Sequence, residues 1–448
     1  MTADITGTLA AYAAQALEQA LPHDVAERAR LHLLDTVAAM ISGTRLPAGI
    51  AALRYAEPLV GNAVCVPGTS RLLGTLDAAL VTAMAAHADE TDDTHAASLT
   101  HPGSVVVPAA LAVGAATHAS GAATLRAVAL GYDVCCRMSL ALGAYDFFGK
   151  GFDTHAFGGV FGAAAAAGAL LDLDARRFRF VWSYAAQQCA GITTWRRDPD
   201  HIEKAFDFAG MPARNGVQAA MLVASGMTGV ADVLDGTPSF FSAFGAVDPS
   251  LAIEALGERF EIARTSIKKW CVATPAQAPL DALATIMETH RLTADDIGAI
   301  RAVLGATGAR VVTGEMPNVN AQHLLALLAV DGGLTFHSSH DAARMTDPVV
   351  LAMRRRVTME PSETIGLGRD AIVEVTTRNG SLLRHHARHV RGTPANAMDR
   401  GEISAKAGDL IAPILESRTA ELIEALLDIE SLDDIGDLRR LLGTSRSR

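Results

Sequence analysis

Four carboxylates and three histidines fall within the fifteen positions 87–101. The segment reads His87-Ala88-Asp89-Glu90-Thr91-Asp92-Asp93-Thr94-His95 and closes on Thr100-His101-Pro102-Gly103. Neighbouring carboxylates and imidazoles move one another's pKa towards neutrality, which is what general acid–base chemistry requires. Two other readings stand beside this one. Oxygen ligands with histidine suit a hard metal ion, although no H-E-x-x-H or EF-hand spacing supports that. Asp and Thr also favour helix N-termini, so the segment reads equally as a solvated acidic loop with caps.

Three further segments carry candidate chemistry. Lys150-Gly151-Phe152-Asp153-Thr154-His155 places a histidine before a small-residue helix. A third runs from Glu203-Lys204 through Asp207 to Arg214-Asn215-Gly216, and a fourth is Ile267-Lys268-Lys269-Trp270-Cys271. The chain has five lysines, Lys150, Lys204, Lys268, Lys269 and Lys406, and four of them lie in these segments. A lysine supplies a compact charge for a carboxylate, and its pKa moves on burial.

Helices must position these residues. Apolar spacing predicts helices over 76–87, 104–118, 123–142, 157–171, 175–189 and 212–225, after two near the N-terminus, the second following Pro22 and ending near Gly43. This leaves no room for βαβ units, and no G-x-G-x-x-G or P-loop is present, so no nucleotide cofactor is expected. After Lys268 the pattern changes. Ile300–Leu304 reads as a strand, and 371–377 with 381–389 flank Asn379-Gly380, a dipeptide that favours a type I′ hairpin. Helical stretches at 279–290, 319–330 and 348–355 intervene. The expectation is a mainly α protein with a large helical domain, 1–267 together with 396–448, and a smaller α+β lid domain, 268–395.

Composition sets the outer bounds. Half of the 448 residues are hydrophobic, 19% are charged and the net charge is −11. That excludes a disordered chain and gives no basic stripe for nucleic acid. No apolar run approaches the roughly 20 residues of a spanning helix, and the N-terminus shows no signal-peptide pattern. Five cysteines without C-x-x-C spacing fit free thiols rather than an iron–sulfur cluster. A cytoplasmic protein without membrane partners is expected.

The segments together resemble the 2-methylcitrate dehydratase (MmgE/PrpD) family. The likeness rests on His87-Ala88, Asp92-Asp93-Thr94, His101-Pro102-Gly103 with Val107-Pro108-Ala109-Ala110-Leu111, and Gly131-Tyr132-Asp133-Val134. It continues through His155 with Phe161-Gly162-Ala163-Ala164-Ala165, Ala213-Arg214-Asn215-Gly216, Lys268 before Asp281-Ala282, Asp331-Gly332-Gly333 and Asp347-Pro348. The resemblance implies a homodimer acting on a small-molecule carboxylate through a carbanion beside a carboxylate, with neither metal nor organic cofactor.

It also implies a site. His101 and His155 would transfer protons, Asp93 would orient a histidine, and Lys268 would stabilise negative charge. Glu90, Asp92, Thr94 and Lys204 would bind substrate. Three departures stand out. Glu90 replaces a usual aspartate, Asp207 replaces a histidine in a segment one residue longer, and the family's histidines shortly after the second lysine are absent, with Ala273 and Gln277 nearby. Each alters where a substrate carboxylate or hydroxyl would sit, which leaves substrates other than 2-methylcitrate open. The leading expectation is a cofactor-independent lyase that dehydrates a hydroxy di- or tricarboxylate. The alternatives are an epimerase, isomerase or decarboxylase using the same residues, or a non-catalytic helical binding protein.

Overall fold

The computed structural model describes residues 4–306, 316–365 and 369–444 of the protein. Helix accounts for 60% of the chain and strand for 9%, so the mainly α expectation holds. The chain divides into two units, Met1–Ser266 with Arg400–Arg448, and Ile267–Asp399.

The first unit runs through α1 (Ile5–Gln15), α2 (His23–Gly43), α3 (Pro47–Tyr55), the short hairpin β1 (Val64–Cys65) and β2 (Leu72–Leu73), α4 (Thr75–Ala86), α5 (Pro102–Thr117), α6 (Gly121–Ala141), α7 (Ala144–Gly149), α8 (Thr154–Leu170), α9 (Ala175–Gln187), α10 (Ile202–Ala205), α11 (Met211–Ala224) and α12 (Phe240–Phe244). The second comprises α13 (Thr274–His290), β3 (Ile297–Gly305), α14 (Ala321–Asp331), α15 (Phe336–His340), α16 (Pro348–Arg354), β4 (Val357–Ser362), β5 (Ala371–Thr377) and β6 (Leu382–Ala387). The chain then rejoins the first unit with α17 (Arg400–Leu415), α18 (Thr419–Leu427) and α19 (Arg439–Leu442). No single helix among the described residues is long and apolar enough to cross a membrane.

Small side chains set the packing of the first unit. Every residue of α8 is buried, and the helix packs against α5, α6 and α11. A Cβ added to Gly162 would lie 2.6 Å from the Gly131 carbonyl oxygen of α6, so backbone meets backbone at that crossing. Pro102, whose missing N–H suits a first helical turn, starts α5. The acidic segment therefore spans the gap between α4 and α5, which pack together. Beneath it lies α2, against which α17 packs in turn.

In the second unit the strand order is β4-β3-β5-β6, with β3–β4 parallel and the other pairs antiparallel. Strand β4 went unread in the sequence, since Glu360 and Pro361 break the pattern of a buried strand. The β5–β6 hairpin forms at Asn379-Gly380, but its turn is not type I′. Gly380 N–H donates to Thr377 O at 3.0 Å, and of the two residues only Gly380 has positive φ, at 88°. This is a three-residue loop with glycine in the left-handed position.

Candidate active site

The acidic segment is not solvated. Asp89, Glu90, Asp92 and Asp93 are 4%, 7%, 0% and 0% exposed, which overturns the solvated-loop reading. Buried carboxylates must be paired or protonated. Asp89 turns the chain by accepting from Thr91 N–H at 3.0 Å, and Thr94 exchanges backbone hydrogen bonds with Ser266 at 2.9 Å each way. Lys406, from α17, ion-pairs Asp35 of α2 at 2.6 Å and donates to the Thr91 carbonyl at 3.1 Å.

The adjacent carboxylates Asp92 and Asp93 serve different partners. Asp92 Oδ2 lies 2.8 Å from His87 Nδ1, and Asp92 Oδ1 lies 3.3 Å from His101 Nδ1. Burial works to raise the Asp92 carboxyl, but the two histidines outweigh it and hold the group well below the usual carboxylate range. Asp93 Oδ2 lies 2.7 Å from His32 Nδ1 and accepts from Tyr132 Oη at 2.6 Å, while Asp93 Oδ1 accepts from Gly103 N–H at 3.0 Å. The expectation that Asp93 orients a proton-transferring histidine therefore needs correcting. Asp93 is taken up by His32, and Asp92 is the carboxylate that reaches His101.

His155 stands at the first turn of α8. Its Nδ1 lies 2.6 Å from Asp153 Oδ1, which also caps the helix by accepting from His155 N–H at 2.8 Å. Burial, the largest influence, lowers the His155 pKa against the opposing effect of Asp153. Asp153 also accepts from the Trp195 indole. Behind it stands Asp207, whose carboxyl is pushed up to about 9 by burial first and then by the hydrogen bond with Asp153. That shift favours a protonated Asp207 beside an ionised Asp153.

The rings converge on Phe208. His155 stacks on it at 3.7 Å between centroids and 13°, and His87 at 4.7 Å and 23°. His101 lies 5.1 Å from both His87 and His155. Phe208 sits on a π turn, Phe206–Gly210, within the continuous run from α10 to α11. A π turn accommodates one extra residue, which accounts for the longer segment noted in the sequence.

Lys204 ion-pairs Glu90, and His201 Nδ1 lies 3.7 Å from the same carboxylate. Its ammonium stands 5.2 Å from the Phe208 ring centroid, so Lys204 and the three histidines share one aromatic neighbour. The first unit thus brings together His101, His155, Asp92, Glu90 and Lys204, while the Thr94 backbone anchors the same segment. Lys268 lies at the start of the second unit. His87, Asp92 and His101 each place one donor atom within 4.8 Å of the others, so this set could hold a divalent ion.

Sequence reading missed His32, Asp35, Lys406, Trp195 and Phe208 as parts of this cluster. Lys406 carried a signal, since it was the one lysine outside the chosen segments in a lysine-poor chain. Phe208 lay inside a chosen segment but read as core, and His32, Asp35 and Trp195 lie far along the chain from the acidic segment.

Comparison with known families supplies the context. The MmgE/PrpD N-terminal domain matches residues 7–250, and the MmgE/PrpD C-terminal domain matches residues 270–429. The chain belongs to the MmgE/PrpD family. Among curated MmgE/PrpD relatives, a cis-aconitate decarboxylase-like protein of Aspergillus oryzae is 24% identical over 98% of this chain and 97% of its own. A cis-aconitate decarboxylase of Aspergillus terreus is 23% identical over 98% and 96%. One from Homo sapiens is 24% identical over 93% and 90%.

Proposed function

We propose that this MmgE/PrpD protein is a lyase that forms a carbanion beside a carboxylate of a small polycarboxylate, with carbon dioxide as the leaving group. The carrying observation is the stacked pair His101 and His155, each backed by its own carboxylate, Asp92 and Asp153. Decarboxylation is preferred over dehydration because the relatives named cis-aconitate decarboxylases align along nearly the whole chain.

The chemistry follows from the groups. The carbon–carbon bond to one carboxylate breaks, and its electron pair stays on carbon, delocalised towards a neighbouring unsaturated carboxylate. Carbon dioxide leaves, and a proton from an imidazole closes the sequence. Asp92 stays ionised and can stabilise the charge on a proton-carrying imidazole. Lys204, shared with Glu90, offers a cation to a retained carboxylate. The face of Phe208 excludes water, which strengthens these electrostatic effects.

Proton NMR in D₂O on EDTA-treated protein tests this, with cis-aconitate, citrate and 2-methylcitrate as substrates. We expect carbon dioxide release and one deuterium in the product, both lost in His101→Gln and His155→Gln. An alkene formed from a hydroxy acid without carbon dioxide would replace decarboxylation by dehydration. No turnover and no exchange with any substrate would refute carbanion chemistry.

A further inference from the structure

A second candidate site lies in the first unit, between the β1–β2 hairpin and the C-terminal helices. It is a cleft of about 640 Å³ whose lining includes Arg71, Arg418, Arg439 and Arg440, together with Thr69 and Cys65. Among the described residues no carboxylate lines it. Four guanidinium groups around one cleft repel one another, in a chain whose net charge is −11.

The existing contacts do little to neutralise them. Arg71 donates to the Ala56 carbonyl at 2.8 Å, and Arg418 donates to the carbonyls of Arg440 and Gly443. Those acceptors are uncharged. Arg439 makes no hydrogen bond or ion pair through its guanidinium among the described residues. Arg440 approaches one carboxylate, Glu421, at 3.6 Å, with both side chains well exposed. Exposed pairs of that kind contribute little. Burial pushes the Cys65 thiol up to about 11, so it adds no negative charge.

The walls are held in place. Gly68 N–H donates to Leu442 O at 2.9 Å, and Thr444 N–H to Thr69 O at 3.0 Å. The arginines are therefore presented on fixed backbone, as a small-ligand site requires.

We propose that this cleft binds a compact polyanion, one with two or more adjacent anionic oxygens carried on phosphate or on carboxylates. Guanidinium forks pair with either group through two parallel hydrogen bonds. The site is separate from the histidine cluster, so the proposal stands whether or not that cluster decarboxylates.

Calorimetric titration of the full chain with pyrophosphate, and separately with tricarballylate, tests it. Arg439→Gln/Arg440→Gln serves as the variant, since both side chains are exposed and the fold does not depend on them. We expect binding of at least one anion at one site per chain, weakened at least tenfold in the variant and by raised salt. The anion that shows this loss identifies the phosphate or carboxylate source. Absence of binding by both anions, or binding that the variant leaves unchanged, would overturn the proposal.

Discussion

Asp207 is a carboxyl buried beside another carboxylate, and its ionisation links pH to stability. Its folded pKa is raised to about 9, whereas an unfolded aspartate titrates near 3.9. Between those values the folded chain holds a proton that the unfolded chain releases. Stability from this group is therefore fully present below about pH 4 and is lost progressively as pH rises towards 9. Asp207→Asn keeps a donor to Asp153 without that proton. It should melt at a higher temperature than the parent at pH 8, with the difference shrinking at pH 5. An equal or lower melting temperature at pH 8 would contradict the neutral-acid assignment. The two neighbouring aspartates should also separate experimentally. Asp92→Asn should cut turnover by about 10²-fold or more, mostly in kcat. Asp93→Asn should appear chiefly as lost stability, because three donors would face an altered group. Steady-state kinetics and thermal melts on both variants check this, and the reverse pattern would refute the division of labour.

At the scale of elements, α2 and α17 form the floor under the acidic segment. Their link is the buried Asp35–Lys406 pair. Burial raises the Asp35 carboxyl, and Lys406 opposes that rise. Lys406→Met strands the carboxylate and should lower the unfolding free energy by about 3–5 kcal/mol. Adding Asp35→Asn should restore much of the loss, and urea unfolding of both variants measures it. Element-scale reading from sequence had a physical limit here. Helices such as α4, α5 and α8 were legible because their apolar spacing is local. The floor was not, since Lys406 meets Thr91 across 315 residues and His32 meets Asp93 across 61. The extra residue before Gly216 was visible in the sequence, but its expression as a π turn that lays Phe208 against the histidines was not.

For the whole molecule, the chemistry-bearing residues were more legible than their pairings. Residue types and spacing pointed to His101, His155, Asp92 and Lys204, and the structure gathers these in one unit. Which carboxylate meets which histidine depends on side-chain direction along an irregular loop, and a string of letters does not carry that. The family assignment rests on matches to both the N-terminal and the C-terminal domain, which together span most of the chain.

The adjacency of Asp92 and Asp93 has a consequence for how the protein fails. One side chain of the pair holds the histidines around Phe208, and its neighbour is locked into the core through His32, Tyr132 and Gly103. A single peptide bond separates the two tasks, so the histidine cluster cannot loosen while the core stays intact. Inactivation by heat or urea should then be one event with global unfolding: activity, ellipticity and tryptophan fluorescence should fall along a single curve. An earlier loss of activity would show that the segment opens on its own.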